Sequence, residues 1–333
     1  MKAFKTLTLA TMIVLGAFAA SAQTLTVYTY SGFASKWGPG PKLKAAFEKT
    51  CGGCTLNFVG MEDGVGILTR LRLEGKDSTA DIAVGLDQNL TAEAGATGLF
   101  APHGQDIGTL KLPVAWDDAN FLPIDHGTFA VIYDSQKISN PPKSLKELIE
   151  GDPAQKIILQ DPRTSTPGLG LLLWIKAVYG DQSEAAWGKL KGRVLTTTKG
   201  WSDAYGLFTK GEAPMVLSYT TSPAYHLIEE KSDRYKAAIF SEGHYAQVEV
   251  AGRLKASKNE ALAGQFLAFL ISSEAQSILP TTQWMYPVRD LGNELPEAFR
   301  TLPQPTKTLM LDSAQIAEKR KAWTDEWLRV MAR

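Results

Sequence analysis

Apolar and polar positions alternate along the N-terminal third of the chain in a way that predicts strands separated by helices. Thr24–Tyr30 places leucine, valine and aromatic side chains between threonines, which is typical of a strand. Thr55–Val59 and Ala80–Leu86 are the next predicted strands. Pro41 begins a helix between the first two strands, and Val65–Glu74 forms the helix before the third. This order predicts a largely parallel sheet with helices on its faces.

A second series of strands and helices begins near Asp125. Ser144 and Glu147 form a capping box, which predicts a short helix that ends at Gly151. The other predicted elements are the strands 127–133, 156–160, 193–197, 215–219 and 246–250 and the helices 167–179, 202–209, 223–230, 260–271, 274–279 and 313–332. In the last helix, large apolar side chains at helical spacing are predicted to pack on the core: Ile316, Trp323, Trp327 and Val330.

The first 22 residues show the three parts of a secretory signal peptide. Lys2 and Lys5 precede the apolar stretch Leu7–Ala20, and Ala20-Ser21-Ala22 is a cleavage site with small residues at its first and third positions. The apolar stretch is short for a membrane span, which needs about 20 residues. We therefore expect residues 1–22 to be removed and the mature, exported protein to begin at Gln23.

Composition and motif content argue against several classes of function. Lys plus Arg and Asp plus Glu both total 35, so no basic excess points to nucleic acid. A length of 333 residues is typical of about two domains. The chain contains no G-x-S-x-G, H-E-x-x-H or Walker motif, and its histidines are scattered. We therefore expect a non-catalytic protein without a cofactor or a metal.

The two cysteines, Cys51 and Cys54, form a Cys-Gly-Gly-Cys motif that admits several interpretations. In an oxidising compartment the pair can close a small structural disulfide, or it can remain as two inert thiols. A redox motif is disfavoured because the pair follows a helix, whereas redox pairs usually begin one. Zinc would need two further ligands, which the scattered histidines do not supply. The sequence favours a disulfide or inert thiols.

Two predicted helices begin with polar residues followed by proline, directly after a strand. In the segment Asp161–Gly170, Ser165 or Thr166 is the expected N-cap and Pro167 the first helical residue. Such a helix start offers N–H groups, hydroxyls and the positive end of the helix dipole, which suits an anion such as phosphate. Ordinary helix capping, without any ligand, would explain the same residues equally well. The segment Tyr219–Tyr225 repeats the arrangement, and both would lie beyond the carboxyl ends of strands, where ligands bind in open α/β sheets.

Aromatic residues in predicted loops indicate a flat, positively charged ligand. Tyr30 and Trp37 follow the first strand, Trp201 precedes a helix, and Trp284 lies in a loop. Such rings attract a cation by about 0.5–2 kcal/mol each, although partly buried packing residues would look the same. Asp63 either caps the following helix or balances a cationic ligand.

The same segments resemble the thiamine-binding periplasmic proteins of bacterial ABC importers. The similarity covers essentially the whole mature chain and includes one long, specific run, DPRTSTPGLGLLLW at 161–174. The other matching stretches are LTVYTY (25–30), WGPGP (37–41), EDGV (62–65), TKGWS (198–202), AYGLF (204–208), SYTTSPAYH (218–226), SEGHY (241–245) and WMYPV (284–288).

This resemblance implies a fold, a function and a set of partners. The fold would be an α/β clamshell of two lobes, of the type II kind, with the ligand between them. One lobe would comprise 24–124 plus 253–333 and the other 125–252, with Gly127–Tyr133 and Gln247–Gly252 crossing over. The protein would be a periplasmic monomer that captures thiamine, thiamine monophosphate or thiamine diphosphate and delivers it to an inner-membrane ABC permease and its ATPase.

The resemblance also implies the ligand-contacting residues. Ser165 and Thr166 would hold the phosphate or hydroxyethyl end, and Asp63 would favour the cationic rings. The full set is Tyr30, Trp37, Asp63, Gly64, Ser165, Thr166, Trp201, Tyr219, Thr220, Thr221, Ser222, Tyr225 and Trp284.

Two rival functions remain open at this point. Thiamine-cleaving enzymes share a similar clamshell but use a cysteine nucleophile in the cleft, whereas Cys51 and Cys54 fall outside the ligand-binding stretches. A binder of ferric ion or of a polyamine would need a cluster of tyrosine, histidine and carboxylate ligands or of several acidic residues. Turnover of thiamine with an amine nucleophile, and competition between ligands, would distinguish these possibilities.

Overall fold

The computed structural model describes residues 23–331, so the predicted signal peptide, residues 1–22, lies outside the described residues. The strands are β1 (Thr24–Tyr30), β2 (Thr55–Met61), β3 (Ile82–Asp87), β4 (Phe100–Ala101), β5 (Phe121–Asp134), β6 (Ile157–Gln160), β7 (Val194–Thr198), β8 (Met215–Tyr219), β9 (Tyr235–Ala238), β10 (His244–Leu254), β11 (Tyr286–Pro287) and β12 (Thr308–Leu309).

Helices lie between most of these strands. They are α1 (Ser31–Ala34), α2 (Gly40–Glu48), α3 (Gly64–Glu74), α4 (Thr91–Ala96), α5 (Leu145–Glu150), α6 (Thr166–Tyr179), α7 (Ser183–Lys191), α8 (Trp201–Thr209), α9 (Pro223–Glu229), α10 (Glu260–Leu270), α11 (Ser273–Ile278), α12 (Glu297–Thr301) and α13 (Ser313–Met331). Half of the predicted capping box is present: the backbone N–H of Glu147 donates to the Ser144 hydroxyl at the start of α5, whereas the Glu147 carboxylate accepts from the N–H of Lys143.

The strands form one sheet whose main order is β2-β1-β3-β10-β5-β8-β6-β7. At one end, β2, β1 and β3 are parallel and make the first strand group. At the other end, β8, β6 and β7 are parallel and make the second strand group. The antiparallel pair β5 and β10 connects the two groups. The parallel βα pattern read from the sequence is therefore confirmed within each group.

Strand β5 passes from one group to the other. Its residues 121–128 pair with β10, whereas residues 129–133 pair with β8 of the second group. Strand β10 in turn pairs with β3 of the first group. The predicted crossovers, Gly127–Tyr133 and Gln247–Gly252, lie within these two strands. Between the two groups the chain therefore has two strand connections in the middle of the sheet, while the exact lobe boundaries stay a prediction.

One buried core is shared by both strand groups, and another lies within the first group. In the first group, Phe47 of α2 packs edge-on against Phe266 of α10, with ring centroids 5.0 Å apart, beneath the buried strand residue Val27. In the second group, α6 is buried on all sides from Thr166 to Ile175. A helix that is apolar all round requires such a central position, which the sequence of α6 anticipates.

The C-terminal helix α13 packs beside helices of both groups. Arg320 forms an ion pair with Glu93 of α4, and Glu326 pairs with Lys176 of α6 at 2.6 Å. Ile316 and Trp327 are buried, and Trp323 and Val330 pack on the same core as partly buried residues. The prediction that these four residues contact the core is confirmed.

The cysteine pair forms a disulfide between Cys51 and Cys54, with the two Cα atoms 5.5 Å apart. It closes the turn between α2 and β2, with Cys54 buried against the core within the first group. This settles the alternatives left by the sequence in favour of the structural disulfide.

We expect the variant with both Cys51→Ala and Cys54→Ala to lose about 2 kcal/mol of unfolding free energy or less, because so short a loop has little entropy to remove. Urea denaturation would measure this change, and wild-type protein in reductant should match the variant. Failure of the variant to fold would contradict a merely local role for the disulfide.

Among residues 23–331, no single helix has both the length and the apolar character that crossing a bilayer requires. A pair of helices, Glu260–Leu270 and Ser273–Thr281, bent by 53°, meets those two criteria only when the pair is taken together.

Candidate functional site

A cavity of about 600 Å³ lies where the two strand groups meet. Its walls come from the carboxyl end of β1, the turn before α3, the N-terminal ends of α6 and α8, the end of β8 and the loop before β11. This position, beyond the carboxyl ends of parallel strands, is where open α/β sheets bind ligands. The volume falls within the range of about 300–1,000 Å³ typical of small-molecule sites.

One wall of the cavity is aromatic and belongs to α8. The indole of Trp201 stacks on Tyr205, with ring centroids 4.8 Å apart and 21° between the planes. Its Nε1 donates to the hydroxyl of Ser218 at 2.8 Å. Trp37 approaches Trp201 from the first strand group, at 6.5 Å between centroids, and is 51% exposed. Trp201 is therefore fixed on one face and by its nitrogen, while it lines the cavity.

A second pair of rings, Tyr225 and Trp284, also lines the cavity. The two rings meet edge to face with their centroids 5.2 Å apart. Trp284 has a φ of +60°, a left-handed conformation that is uncommon for a residue with a side chain. Its backbone N–H donates to Leu279 O, which closes the turn before β11. Backbone strain of this kind concentrates at functional positions, because elsewhere nothing compensates its cost.

Asp63 joins the two strand groups across the cavity. It precedes α3 in the first group, and its carboxylate accepts the Ser165 hydroxyl of the second group at 2.8 Å. The backbone N–H groups of Thr166 and Trp201, at the starts of α6 and α8, donate to the same carboxylate. Burial raises the pKa of Asp63 to about 6, and these hydrogen bonds work in the opposite direction. The helix start that the sequence marked as an anion site thus holds the protein's own carboxylate.

Gly64 permits this close approach. A Cβ at this position would lie 2.3 Å from Gly85 O and 2.6 Å from the Thr166 hydroxyl oxygen. Its backbone N–H also lies 3.1 Å from that hydroxyl, to which it donates. Residue 64 is therefore a glycine because any side chain would collide with Gly85 of β3 and with Thr166 of α6.

A hydrogen-bonded group from three parts of the chain forms another side of the cavity. The Tyr30 hydroxyl donates to Glu249 of β10 at 3.0 Å. Gln283 donates to the Tyr30 oxygen and, at 3.4 Å, to Glu249. Burial raises the pKa of Glu249 well above its usual value, and the nearby Asp125 carboxylate raises it further. Burial and the neighbouring Glu249 also raise the pKa of Tyr30.

The charged side chains among the described residues that line the cavity are all acidic. Five acidic residues line it: Glu62, Asp63, Glu229, Glu230 and Glu249. Among the described residues that line it, none is lysine, arginine or histidine. Within the same described range, no group of three or more histidine, cysteine, aspartate or glutamate residues is arranged to hold a metal ion. A cleft of this charge attracts cations, and its aromatic walls suit a flat one.

Comparison with known sequences identifies the family. A family model for bacterial extracellular solute-binding proteins matches residues 38–277, which is more than half of the chain. The chain belongs to this family. Its relatives include the thiamine-binding periplasmic proteins of Brucella suis biovar 1 (strain 1330), 56% identical over 98% of both chains, and of Escherichia coli (strain K12), 55% identical over 93% of this chain and 94% of the other.

Solved structures support the same assignment of this solute-binding protein. A periplasmic thiamin binding protein superposes with a TM-score of 0.91 at 54% identity, covering 94% of this chain and 97% of the other. A ferric binding protein from Campylobacter jejuni gives a TM-score of 0.75 at 21% identity and therefore shows the fold alone. The predicted fold class, an α/β periplasmic binding protein of two lobes with a cleft between them, is confirmed.

The structure of this solute-binding protein brings most of the predicted site residues to one cavity. Those that line it are Tyr30, Trp37, Asp63, Thr166, Trp201, Tyr219, Ser222, Tyr225 and Trp284. The Ser165 hydroxyl donates to Asp63, and the backbone N–H of Gly64 donates to the Thr166 hydroxyl. Thr220 and Thr221 are buried, and their hydroxyls contact the Thr128 hydroxyl and the Met285 sulfur. Of the four that do not line the cavity, Gly64, Ser165 and Thr221 contact residues that do.

Several cavity residues were missed by the sequence analysis. Glu249 and Gln247 lie inside β10, where alternation gives no sign of a ligand. Gln283 and Met285 flank the predicted Trp284, and Tyr205 lies one helical turn beyond Trp201. Helical spacing from Trp201 could have found Tyr205, because residues four apart share a helix face.

Proposed function

We propose that this protein is a periplasmic solute-binding protein that captures thiamine and its phosphate esters and delivers them to an ABC importer. The observation that carries the proposal is a cavity with aromatic walls and carboxylates and, among its described lining residues, no basic side chain. Thiamine is an organic cation with two flat aromatic rings, so it matches both features. Relatives that cover nearly the whole chain are named thiamine-binding periplasmic proteins, which supports the same ligand.

The geometry suggests how the ligand would be held. The free face of Trp201 and the rings of Tyr225 and Trp284 would pack on its two aromatic rings. Asp63 and Glu249 would balance the thiazolium charge. The predicted contact of Ser165 and Thr166 with a phosphate or hydroxyethyl end stays a proposal, because both residues serve Asp63 in this structure.

Closure would connect binding to transport. Asp63 makes hydrogen bonds across the cleft only when the two strand groups are close, so a ligand that fills the cavity shifts the population toward that arrangement. The closed surface would then be recognised by an inner-membrane permease that works with an ATPase.

We propose that the protein acts as a monomer in the periplasm after removal of residues 1–22.

Identification of the natural ligand tests this proposal. The full chain would be exported, purified without denaturation, and then unfolded to release what it carries. Mass spectrometry should find thiamine or one of its phosphates at close to one molecule per chain. A different solute at that stoichiometry would overturn the proposal.

Catalysis is the alternative that must be tested separately. We propose that the protein does not cleave thiamine, and the disulfide supports this because it engages both cysteines of the chain, leaving neither as a nucleophile. Incubation with thiamine and an amine nucleophile should leave the thiamine intact. Turnover would show that the chain is an enzyme.

The acidic residues at the exposed part of the cavity predict electrostatic steering. Glu62 and Glu229 line the cavity and are exposed, so they should attract a cation at a distance. We expect the association rate of thiamine to fall about tenfold between low and high salt, because salt screens charges more than about 10 Å apart. Stopped-flow tryptophan fluorescence would measure it.

The double variant Glu62→Gln and Glu229→Gln should associate more slowly than wild type and respond less to salt, with little change in the dissociation rate. A salt response identical to that of wild type would contradict steering by these residues.

A further inference from the structure

Two buried carboxylates face each other at the centre of the sheet. Asp125 of β5 and Glu249 of β10 are directly opposed in the antiparallel register, so their side chains lie on the same face. Both are buried, at 0% and 4% exposure. Glu249 lines the cavity, and Asp125 stands beside it on the neighbouring strand. The pair therefore lies on the two strands that connect the strand groups.

Among the described residues that line the cavity or act on the pair, none supplies a compensating positive charge. Both oxygens of Asp125 lack a hydrogen-bond partner, and so does the buried side-chain oxygen of Gln247, which lines the cavity two residues away from Glu249. The groups that act electrostatically on Glu249 from the neighbouring elements are acidic, namely Asp63, Asp87 and Asp125, and the Tyr30 hydroxyl donates to it. Tyr219 of β8 faces the same carboxylates as a neutral phenol, because burial and those charges raise its pKa.

Histidine does not supply the missing charge. His126 follows Asp125 in β5 and stacks on Tyr286, at 5.6 Å between the ring centroids. Burial lowers the pKa of His126 to about 4, so the ring is neutral in the range where the protein works. Two buried carboxylates that are directly opposed on paired strands do not readily both ionise, and the pair retains a proton.

We propose that Asp125 and Glu249 select for positively charged ligands by holding one proton between them in the empty cavity and releasing it when an organic cation binds. This inference rests on the proposed function. The cation supplies the charge that the pair lacks, so the doubly ionised form becomes favourable only in the complex. The unpartnered oxygen of Gln247 then accepts a hydrogen bond from the ligand. A neutral ligand of the same shape releases no proton and binds more weakly.

The sign of the pH dependence follows from this exchange. Burial raises the pKa of Asp125 to about 8, and a bound cation lowers the pKa of the pair. Binding therefore releases a proton below pH 8, and the affinity for a cation rises as the pH rises toward that value. The rise approaches tenfold per pH unit when one proton is released per ligand. Above about pH 8 the affinity becomes constant.

Calorimetric titration of the full mature protein with two probes tests the proposal. The probes are thiamine and an isosteric analogue in which an uncharged thiophene replaces the thiazolium. Titrations in buffers of different ionisation enthalpy count the protons released. We expect close to one proton released with thiamine near pH 7, above the pKa of Asp63, and essentially none with the thiophene analogue. Because both probes carry the same aminopyrimidine, its own protonation cancels in the comparison.

Variants of Asp125 and Glu249 test whether the proton released on binding comes from this pair. The double variant Asp125→Asn, Glu249→Gln should lose the proton release and bind thiamine at least tenfold more weakly, with a smaller loss for the analogue. Asp125→Asn removes the repulsion, so Glu249 should ionise at lower pH and the rise in affinity should move at least one pH unit down. Glu318→Gln, an exposed change on α13, should behave as wild type. Thermal unfolding curves would show that each variant is folded.

The outcomes separate this inference from the proposed function. Equal proton release with both probes, or unchanged release in the double variant Asp125→Asn, Glu249→Gln, would overturn the role of the pair while leaving thiamine binding established. No binding of thiamine by wild type at any pH would overturn the proposed function and this inference together.

Discussion

Replacing Trp201 by alanine is expected to weaken thiamine binding by about 30- to 150-fold, which corresponds to about 2–3 kcal/mol. The indole is held by Tyr205 on one face and by Ser218 at its nitrogen, so it needs little further ordering to receive a ligand ring. An aromatic anchor in a water-excluding pocket commonly carries an energy of this size. Titration of the ligand-free protein with thiamine would measure the change.

Trp201→Phe is the matched control, since it keeps an aromatic face and loses only the indole nitrogen and some area. It should lose less affinity than the alanine variant. Tyr225→Ala should also weaken binding markedly, because Tyr225 lines the same cavity against Trp284. Unchanged titration curves for both alanine variants would refute the stacking of ligand rings on this wall.

Replacing Asp63 by alanine is expected to weaken thiamine binding by about 100-fold. The change leaves the Ser165 hydroxyl and the backbone N–H groups of Thr166 and Trp201 without their shared acceptor in the closed arrangement. An unpaired buried donor costs about 1–3 kcal/mol, and water entering the gap offsets part of the sum. A loss of about 3 kcal/mol is therefore expected, and the same titration would detect it.

The hydrogen-bond partners of Asp63 lie in the other strand group, so the Asp63→Ala variant tests closure of the two groups specifically. Asp63 belongs to the first strand group and its partners to the second, so the penalty falls on the arrangement in which the groups meet. Small-angle X-ray scattering should show that thiamine compacts wild type but not the variant. Asp77→Asn, an exposed change in the same group, should compact as wild type does. Thiamine-induced compaction of the Asp63 variant would contradict the bridging role.

The secondary structure was largely predictable because hydrophobic periodicity is strong in this chain. The strand Met215–Tyr219 has the predicted bounds, and α6 begins one residue before the predicted start. The elements that the pattern missed are mostly short or weakly amphipathic, such as β9 and α7. Strand β5 is 14 residues long, twice the predicted seven, because its first half pairs with β10 and its second with β8.

Site residues could be predicted where the local sequence indicates them. They could not be predicted where the site depends on the register between paired strands. Trp201 and Trp284 stand out as large rings in loops, and both line the cavity. The opposition of Asp125 and Glu249 arises from the pairing of β5 with β10, which no local pattern reveals. Asp63 was identified as a candidate, but its position at the starts of two helices of the other group depends on the tertiary fold.

Calorimetric titration of ligand-free wild-type protein with thiamine at pH 8 tests the central claim most directly, namely that the acidic, aromatic cavity between the strand groups binds this aromatic cation. We expect one site per chain and a dissociation constant below about 1 μM, equivalent to a binding free energy stronger than about −8 kcal/mol. The absence of saturable binding at millimolar thiamine would contradict the account.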